Sequence, residues 1–432
     1  MEESREFEVK ALARVEGEGR LYAKIKDRKV EHVELNIYEP PRFFESFLRG
    51  RSYKEVPDIT ARICGICPVA YQMTSCGAIE RALNLKTSQA IESIRRLLYC
   101  GEWIESHVLH IHLLHLPDFL GYHSGIEMAQ DYRQVVERGL KMKKIGNELI
   151  EILGGRPIHP INVRIGGFYK APRVEKLRNL LPDLEWALDS AIQTVHFVAA
   201  LEFPKFEQPY EFVSLFHPEQ YPISGGRIVS SQGLDIAIDD YELYFNERHL
   251  PQSTALHSVR LPGETSYLVG PLARINLCHE QLTPQAKVAA ETCGINWPSN
   301  NNFHSIVARA IEVVFAFEQA IEIIQSQQYP IDPCFETGPL QEGIGCFATE
   351  APRGLLYHRY KLNSEGLVDV AQIIPPTSQN QGQIESDLRN LIPELLDEED
   401  AVATHRCEHL IRNYDPCISC ATHFLKLKLD RF

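Results

Sequence analysis

Two cysteine pairs at opposite ends of the chain, Cys64-Gly65-Ile66-Cys67 and Cys417-Ile418-Ser419-Cys420, constrain this sequence more than anything else in it. A Cys-x-x-Cys spacing lets two thiolates converge on one ion, and two such pairs make a four-sulfur site. The pairs stand 353 residues apart, so a shared metal requires a fold that brings its two ends together. Pairs of this kind are commonly structural zinc knuckles. Zinc knuckles keep their pairs close in sequence, because there the metal replaces a core too small to hold the fold. A chain of 432 residues has core enough without one. Spacing alone leaves zinc and a redox-active metal both open.

The chain is acidic, 58 Asp+Glu against 44 Lys+Arg for a formal charge of −14. That argues against a nucleic-acid binder, which would show a basic stripe. No apolar run reaches the ~18–20 residues that span a bilayer, and Met-Glu-Glu-Ser-Arg at the start lacks a signal-peptide pattern. The expectation is a soluble, cytoplasmic protein. No linker, low-complexity run or internal repeat divides the chain, so residues 1–432 are expected to form a single domain. Of the eleven cysteines, Cys76, Cys100, Cys278, Cys293, Cys334, Cys346 and Cys407 have no partner at metal spacing and read as small buried hydrophobes. That leaves no cysteine set for an iron–sulfur cluster, and no Gly-x-Gly-x-x-Gly follows a strand. Electrons and nucleotide fall to other chains.

Residues 6–38 alternate apolar and polar positions around turns, which predicts an antiparallel β ribbon. From about residue 88 the period becomes helical: Ile91, Ile94, Leu98, Ile104, Val108 and Ile111 share a face that ends near Pro117. Further helices are expected over 130–153, 174–203, 304–327 and 384–396, with strands near 227–246 and 354–374. The fold class is therefore α+β, mainly α, with long central helices and peripheral β elements. His107, His110, His112 and His115 crowd one helix. Only pairs three or four apart share a helical face, so they read as packing histidines, not as one metal cluster.

Around the cysteines stand Arg62-Ile63-Cys64-Gly65-Ile66-Cys67 and Asp415-Pro416-Cys417-Ile418-Ser419-Cys420-Ala421-Thr422-His423. In between come Ala13-Arg14-Val15-Glu16-Gly17, Arg42-Phe43-Phe44-Glu45, Gly155-Arg156-Pro157-Ile158-His159-Pro160 and Ala351-Pro352-Arg353-Gly354. This ordered set resembles the large subunit of nickel–iron hydrogenases from end to end, and most closely their cytoplasmic multimeric class. The resemblance implies a bundle of long helices with a deeply buried metal site joining both chain ends. It implies that Cys64, Cys67, Cys417 and Cys420 all bind nickel, with Cys67 and Cys420 bridging to an iron that carries carbon monoxide and two cyanides. Soft thiolates suit such metals better than carboxylates do.

By the same resemblance Arg353, flanked by Pro352, sits over the open metal face, where a fixed charge and rigid donor fork can hold cyanide and polarise dihydrogen. Arg62 adds charge beside the thiolates. Asp415 orients Arg353; its plain reading is an Asx turn before Pro416. Glu16 links a terminal cysteine, Cys64 or Cys417, to a proton exit path, against the plain reading of a solvated glutamate between strands. Glu45, the main-chain carbonyl of Gln372 and His423 would hold a separate magnesium or iron ion. Two departures stand out: Ser106 replaces an aspartate usual in membrane-linked members, and Pro376 replaces a serine that donates to cyanide, a role that passes to Thr377 or a backbone N–H. Residues 424–432 match a C-terminal tail that maturation removes in many members.

The implied function is reversible heterolytic cleavage of dihydrogen. Electrons would pass through an iron–sulfur small subunit to a flavin-containing unit reducing NAD(P) or ferredoxin, with iron–sulfur clusters and flavin only in those partners and maturation factors loading the metal. Two other readings are a related respiratory complex I subunit with a quinone pocket, which has lost these cysteines, and a non-catalytic zinc scaffold.

Overall fold

A computed structural model describes residues 4–326 and 332–422. The first ribbon is a three-stranded antiparallel sheet, β1 (Ser4–Val9), β2 (Gly19–Lys26) and β3 (Lys29–Ile37), in that order. Its alternation of buried and exposed residues lays Leu21, Ala23 and Ile25 on the core, as the period of two requires. A short helix α1 (Phe44–Leu48) and α2 (Pro68–Ala82) lead into the long helices α3 (Gln89–Leu109), α4 (Arg133–Gly154) and α5 (Val174–Ala199). After a short α6 (Pro271–Cys278) comes α7 (Ser305–Ser326), apolar nearly all round and accordingly central, against α3 and α5.

Local chemistry sets the ends of these helices. The Ser88 hydroxyl accepts the Ile91 N–H at 3.3 Å to cap α3. Gly155, at φ 87°, closes α4 in the left-handed conformation. Helices α3 and α4 touch through glycines: a Cβ on Gly146 would lie 3.0 Å from the Gly101 carbonyl oxygen. That close approach fixes the scaffold from which α3 faces the cysteine cluster.

A second antiparallel sheet, β4 (Gly343–Ala351), β5 (Gly354–Leu362) and β6 (Val368–Ile374), packs on α2. Ala351 pairs with Gly354, so Pro352-Arg353 is the two-residue tip of a hairpin. The chain then forms α8 (Pro376–Leu391) and α9 (Asp400–Asn413) before the second cysteine pair. The largest apolar core draws side chains from Leu48 through Cys420.

The mainly α, α+β architecture agrees with the sequence reading, with differences in detail. The helix expected over 384–396 begins at Pro376, because proline suits the first helical turn and does not break it there. Helix α2 and strand β4 have no counterpart in that reading: α2 is buried on almost every side and so shows no amphipathic period. Beyond Leu109 the chain runs on as a π-helical stretch, His110–His115, and Pro117 opens a further short helix instead of ending one. The segment near 227–246 holds two short strands, a helical turn at Tyr241–Tyr244 and the start of a third strand at Phe245. No helix among the described residues is long and apolar enough to cross a membrane.

Candidate metal centre

The two cysteine pairs meet. Cys64 leaves a 3-10 turn at Ala61–Ile63 in extended conformation, and Cys67 is the N-cap of α2. Cys417 is extended and pairs as an isolated parallel bridge with Glu16, while Cys420 sits in the helical turn Ile418–Ala421. The four sulfurs lie within 4.8 Å of one another and all four residues are buried. Cys64 Sγ is 3.5 Å from Cys417 Sγ, and Cys67 Sγ is 3.8 Å from Cys420 Sγ. Cys64 Sγ accepts the N–H groups of Ile66 (3.3 Å) and Cys67 (3.2 Å). Burial resists ionisation of Cys64, but its sulfur partners and the Arg353 charge hold it well below the usual thiol range.

Arg353 enters this pocket from the hairpin tip and is 3 % exposed. Its Nε donates to the Asp415 carbonyl at 2.7 Å and its Nη2 to Asp415 Oδ1 at 3.1 Å. Burial works against its charge, yet Asp415 and the cysteines raise its pKa further. Its Nη1 is buried without a partner. A buried donor left open costs stability unless something accepts from it. Four convergent sulfurs and an open cationic donor fit a soft metal carrying small anionic ligands.

Glu16 connects the cluster to the surface. Its Oε2 accepts from Cys417 Sγ at 3.2 Å and from the Ser419 N–H at 3.0 Å, and the residue itself is half-buried. The Thr377 hydroxyl accepts the Cys417 N–H at 3.0 Å, which leaves its own proton to donate elsewhere. The carbonyl of Pro352 accepts from Arg274 at 3.1 Å. Glu45 lies against β6, its Oε1 accepting the Ile373 N–H at 2.8 Å, the donor side of the peptide whose carbonyl belongs to Gln372. His423 and the tail 424–432 lie outside the described residues.

Some placements differ from the sequence reading. Arg62 is exposed, because the 3-10 turn points Ile63 inward and its neighbour out; the charge beside the thiolates comes from Arg353 alone of the two. Cys334 is only half-buried, unlike the other six unassigned cysteines. Arg42 has a role that no spacing reveals: its Nη2 binds the carbonyls of Ile63 (2.7 Å) and Ser419, the residues just before Cys64 and Cys420. Ser106 is buried with its hydroxyl unpartnered.

The four helix histidines do not converge. His107 faces Glu312, His110 Nε2 donates to the Arg412 carbonyl at 2.9 Å, and His112 Nδ1 donates to the Val108 carbonyl at 3.1 Å. His115 instead groups with Asp118 and His409. That carboxylate is already held by Arg412 at 2.6 and 2.8 Å and by Arg14. Two guanidiniums beside it oppose a further cation, and Asp118 serves as an ion-pair anchor for Arg14.

The sequence pattern of the nickel-dependent hydrogenase family matches residues 42–138 and 257–423. The chain is 34 % identical to the alpha subunit of sulfhydrogenase 1 of Pyrococcus furiosus over 96 % of its own length and 97 % of that protein's. It is 32 % identical to the alpha subunit of sulfhydrogenase 2 of the same organism, over 98 % and 100 %. A solved NAD+-reducing nickel–iron hydrogenase in its H2-reduced state shares the fold, with a TM-score of 0.87 at 24 % identity over 97 % of this chain and 99 % of that one. The protein therefore belongs to the nickel-dependent hydrogenases, as a large subunit of the nickel–iron enzymes.

Proposed function

We propose that this chain is the catalytic subunit of a cytoplasmic, multi-subunit enzyme that splits and forms dihydrogen reversibly. Electrons leave through an iron–sulfur small subunit to a flavin-containing unit acting on NAD(P) or ferredoxin. The observation that carries the catalytic part is the four-sulfur cluster with Arg353 aimed at it and Glu16 bonded to one of its sulfurs. Cys64, Cys67, Cys417 and Cys420 would hold nickel, and Cys67 with Cys420 would share an iron bearing carbon monoxide and two cyanides. That centre supplies the Lewis acidity and redox couple that heterolysis of so weak an acid needs.

The chain's own residues do the rest. Asp415 fixes the plane of the Arg353 guanidinium, so the free Nη1 keeps one direction without reorganising during reaction. Thr377 holds the Cys417 backbone and has an O–H left to donate to an anionic ligand. Cys417 Sγ and Glu16 Oε2 make the first proton step, from a buried thiol to a half-buried carboxylate. Glu45, the Gln372 carbonyl and His423 would hold magnesium or iron at a second site. Elemental analysis of the complex purified with its partners tests this reading. Nickel and iron together, with infrared bands of bound carbon monoxide and cyanide, support it; zinc alone overturns it.

A further inference from the structure

Three consecutive carbonyls lead up to Arg353, and a buried donor captures each one. Trp103 Nε1 donates to the Glu350 carbonyl at 3.0 Å. Arg274, on α6, donates from Nη1 to the Ala351 carbonyl at 3.0 Å and from Nη2 to the Pro352 carbonyl at 3.1 Å. Its remaining N–H groups are also taken. Nε and Nη2 bind the two oxygens of Glu312 at 2.6 and 2.7 Å, and Nη1 binds Glu350 Oε2 at 2.9 Å. All five donors of the guanidinium are therefore used. The Trp103 ring lies under it, 4.5 Å from the centroid.

The two carboxylates are themselves held in place. Glu350 Oε1 accepts the Leu215 N–H at 2.7 Å, and Glu312 accepts the Tyr221 hydroxyl at 2.7 Å. Arg274, Glu312 and Glu350 are each fully buried. Such a network is weak evidence for stability, since apolar side chains of equal volume hold a core as well. What it adds is direction, because a planar fork fixes two adjacent carbonyls at once.

The hairpin tip needs that direction. Gly354 has φ 130°, and a Cβ there would lie 2.8 Å from the Gly270 nitrogen; one on Gly270 would lie 2.9 Å from the Arg353 carbonyl oxygen. The tip thus lies close against Val269 and Gly270 at the start of α6, where the two glycines leave room for the approach. The same helix that meets the tip carries the arginine that grips it.

We propose that Arg274 is a positioning residue for the hydrogen chemistry: through the carbonyls of Ala351 and Pro352 it aims Arg353 at the cysteine cluster. This rests on the nickel–iron reading of that cluster. The plain alternative is that Arg274 only balances buried charge.

A double-mutant cycle on hydrogen–deuterium exchange by the whole complex separates the two, with nickel and iron measured in every variant. Arg274→Lys keeps the charge but loses the fork, and exchange should fall about 10–100-fold, as when a reacting group is misplaced by ~1 Å. Arg353→Lys should lower exchange at least as much. The double variant should be no slower than Arg353→Lys alone, and infrared bands of the metal-bound diatomics should move the same way in both single variants. Multiplying losses, or bands moved only by Arg353→Lys, overturn the positioning role. If Arg274→Lys loses its metal, Trp103→Phe takes its place in the cycle, removing the donor to Glu350 and shrinking the ring under Arg274 while keeping the arginine; if that variant also loses metal or its loss multiplies, the role is overturned. Absence of nickel from the unmodified complex would instead sink the reading of the cluster.

Discussion

Glu16 is the residue at which shape and chemistry separate most cleanly. Glu16→Gln keeps the size and an acceptor for the Ser419 N–H but removes the ionisable proton. Metal content and infrared bands should be unchanged, while hydrogen–deuterium exchange falls by roughly 10²–10⁴, the usual contribution of a general acid–base group. Near-normal exchange would show that protons leave by another route. Cys420→Ser acts on the opposite property, since an alkoxide is harder and far more basic than a thiolate; nickel and all exchange should be lost together, and retained turnover would break the four-cysteine assignment. The convergence of the four cysteines was legible in their short spacings, whereas Glu16, by itself a plain glutamate between strands, stood out only through the family resemblance. Arg62 misled because adjacency in sequence to Cys64 is not adjacency in space. Arg42 was illegible because what it bonds to, Ile63 and Ser419, is set only by the fold.

At the scale of elements, the amphipathic helices and the first ribbon could be read from period alone, whereas α2 could not, because burial on all sides erases the period. Packing without an amphipathic face depends on small residues instead. A Cβ on Gly345 of β4 would lie 1.9 Å from the Ala78 oxygen and 2.5 Å from the Ala82 nitrogen, both backbone atoms of α2. Gly345→Ala must therefore move the helix that Cys67 caps. A cost of about 1–3 kcal/mol is expected, seen as a melting temperature lower by several degrees; an unchanged one would show that the contact yields freely. The α3 extension makes a different prediction. Burial lowers His107 and His112 to about 4, and His409 of α9, against which this stretch packs, to about 3. Unfolded, all three titrate near 6.5, so between pH 6.5 and 4 the unfolded chain binds more protons. Stability present above pH 6.5 is thus lost as pH falls. His112→Leu should remove up to one proton from that slope, about 1.4 kcal/mol per pH unit, and denaturation midpoints that keep the original slope would refute it.

For the whole molecule the decisive act is closure of the two chain ends, which the paired spacing required if both pairs were to share one metal. Backbone bonds bring the ends together: the Ile418 N–H donates to the Glu16 carbonyl at 2.9 Å and the Arg42 N–H to the Thr422 carbonyl at 2.7 Å. The Arg42 guanidinium then ties Ile63 to Ser419, and with them the two cysteine pairs, while the long helices pack on one another without its help. Closure and helix packing are therefore separable. Arg42→Lys retains the charge, but an ammonium on a flexible stem does not set two carbonyls in one plane. The variant should keep its helical circular dichroism and its melting temperature without metal, yet hold nickel less tightly. Each tenfold loss of affinity removes about 1.4 kcal/mol of metal-dependent stabilisation, so the rise in melting temperature on loading should shrink. Full nickel occupancy with an undiminished rise would mean that the backbone bonds alone close the site; loss of helical structure would mean that closure and core form as one.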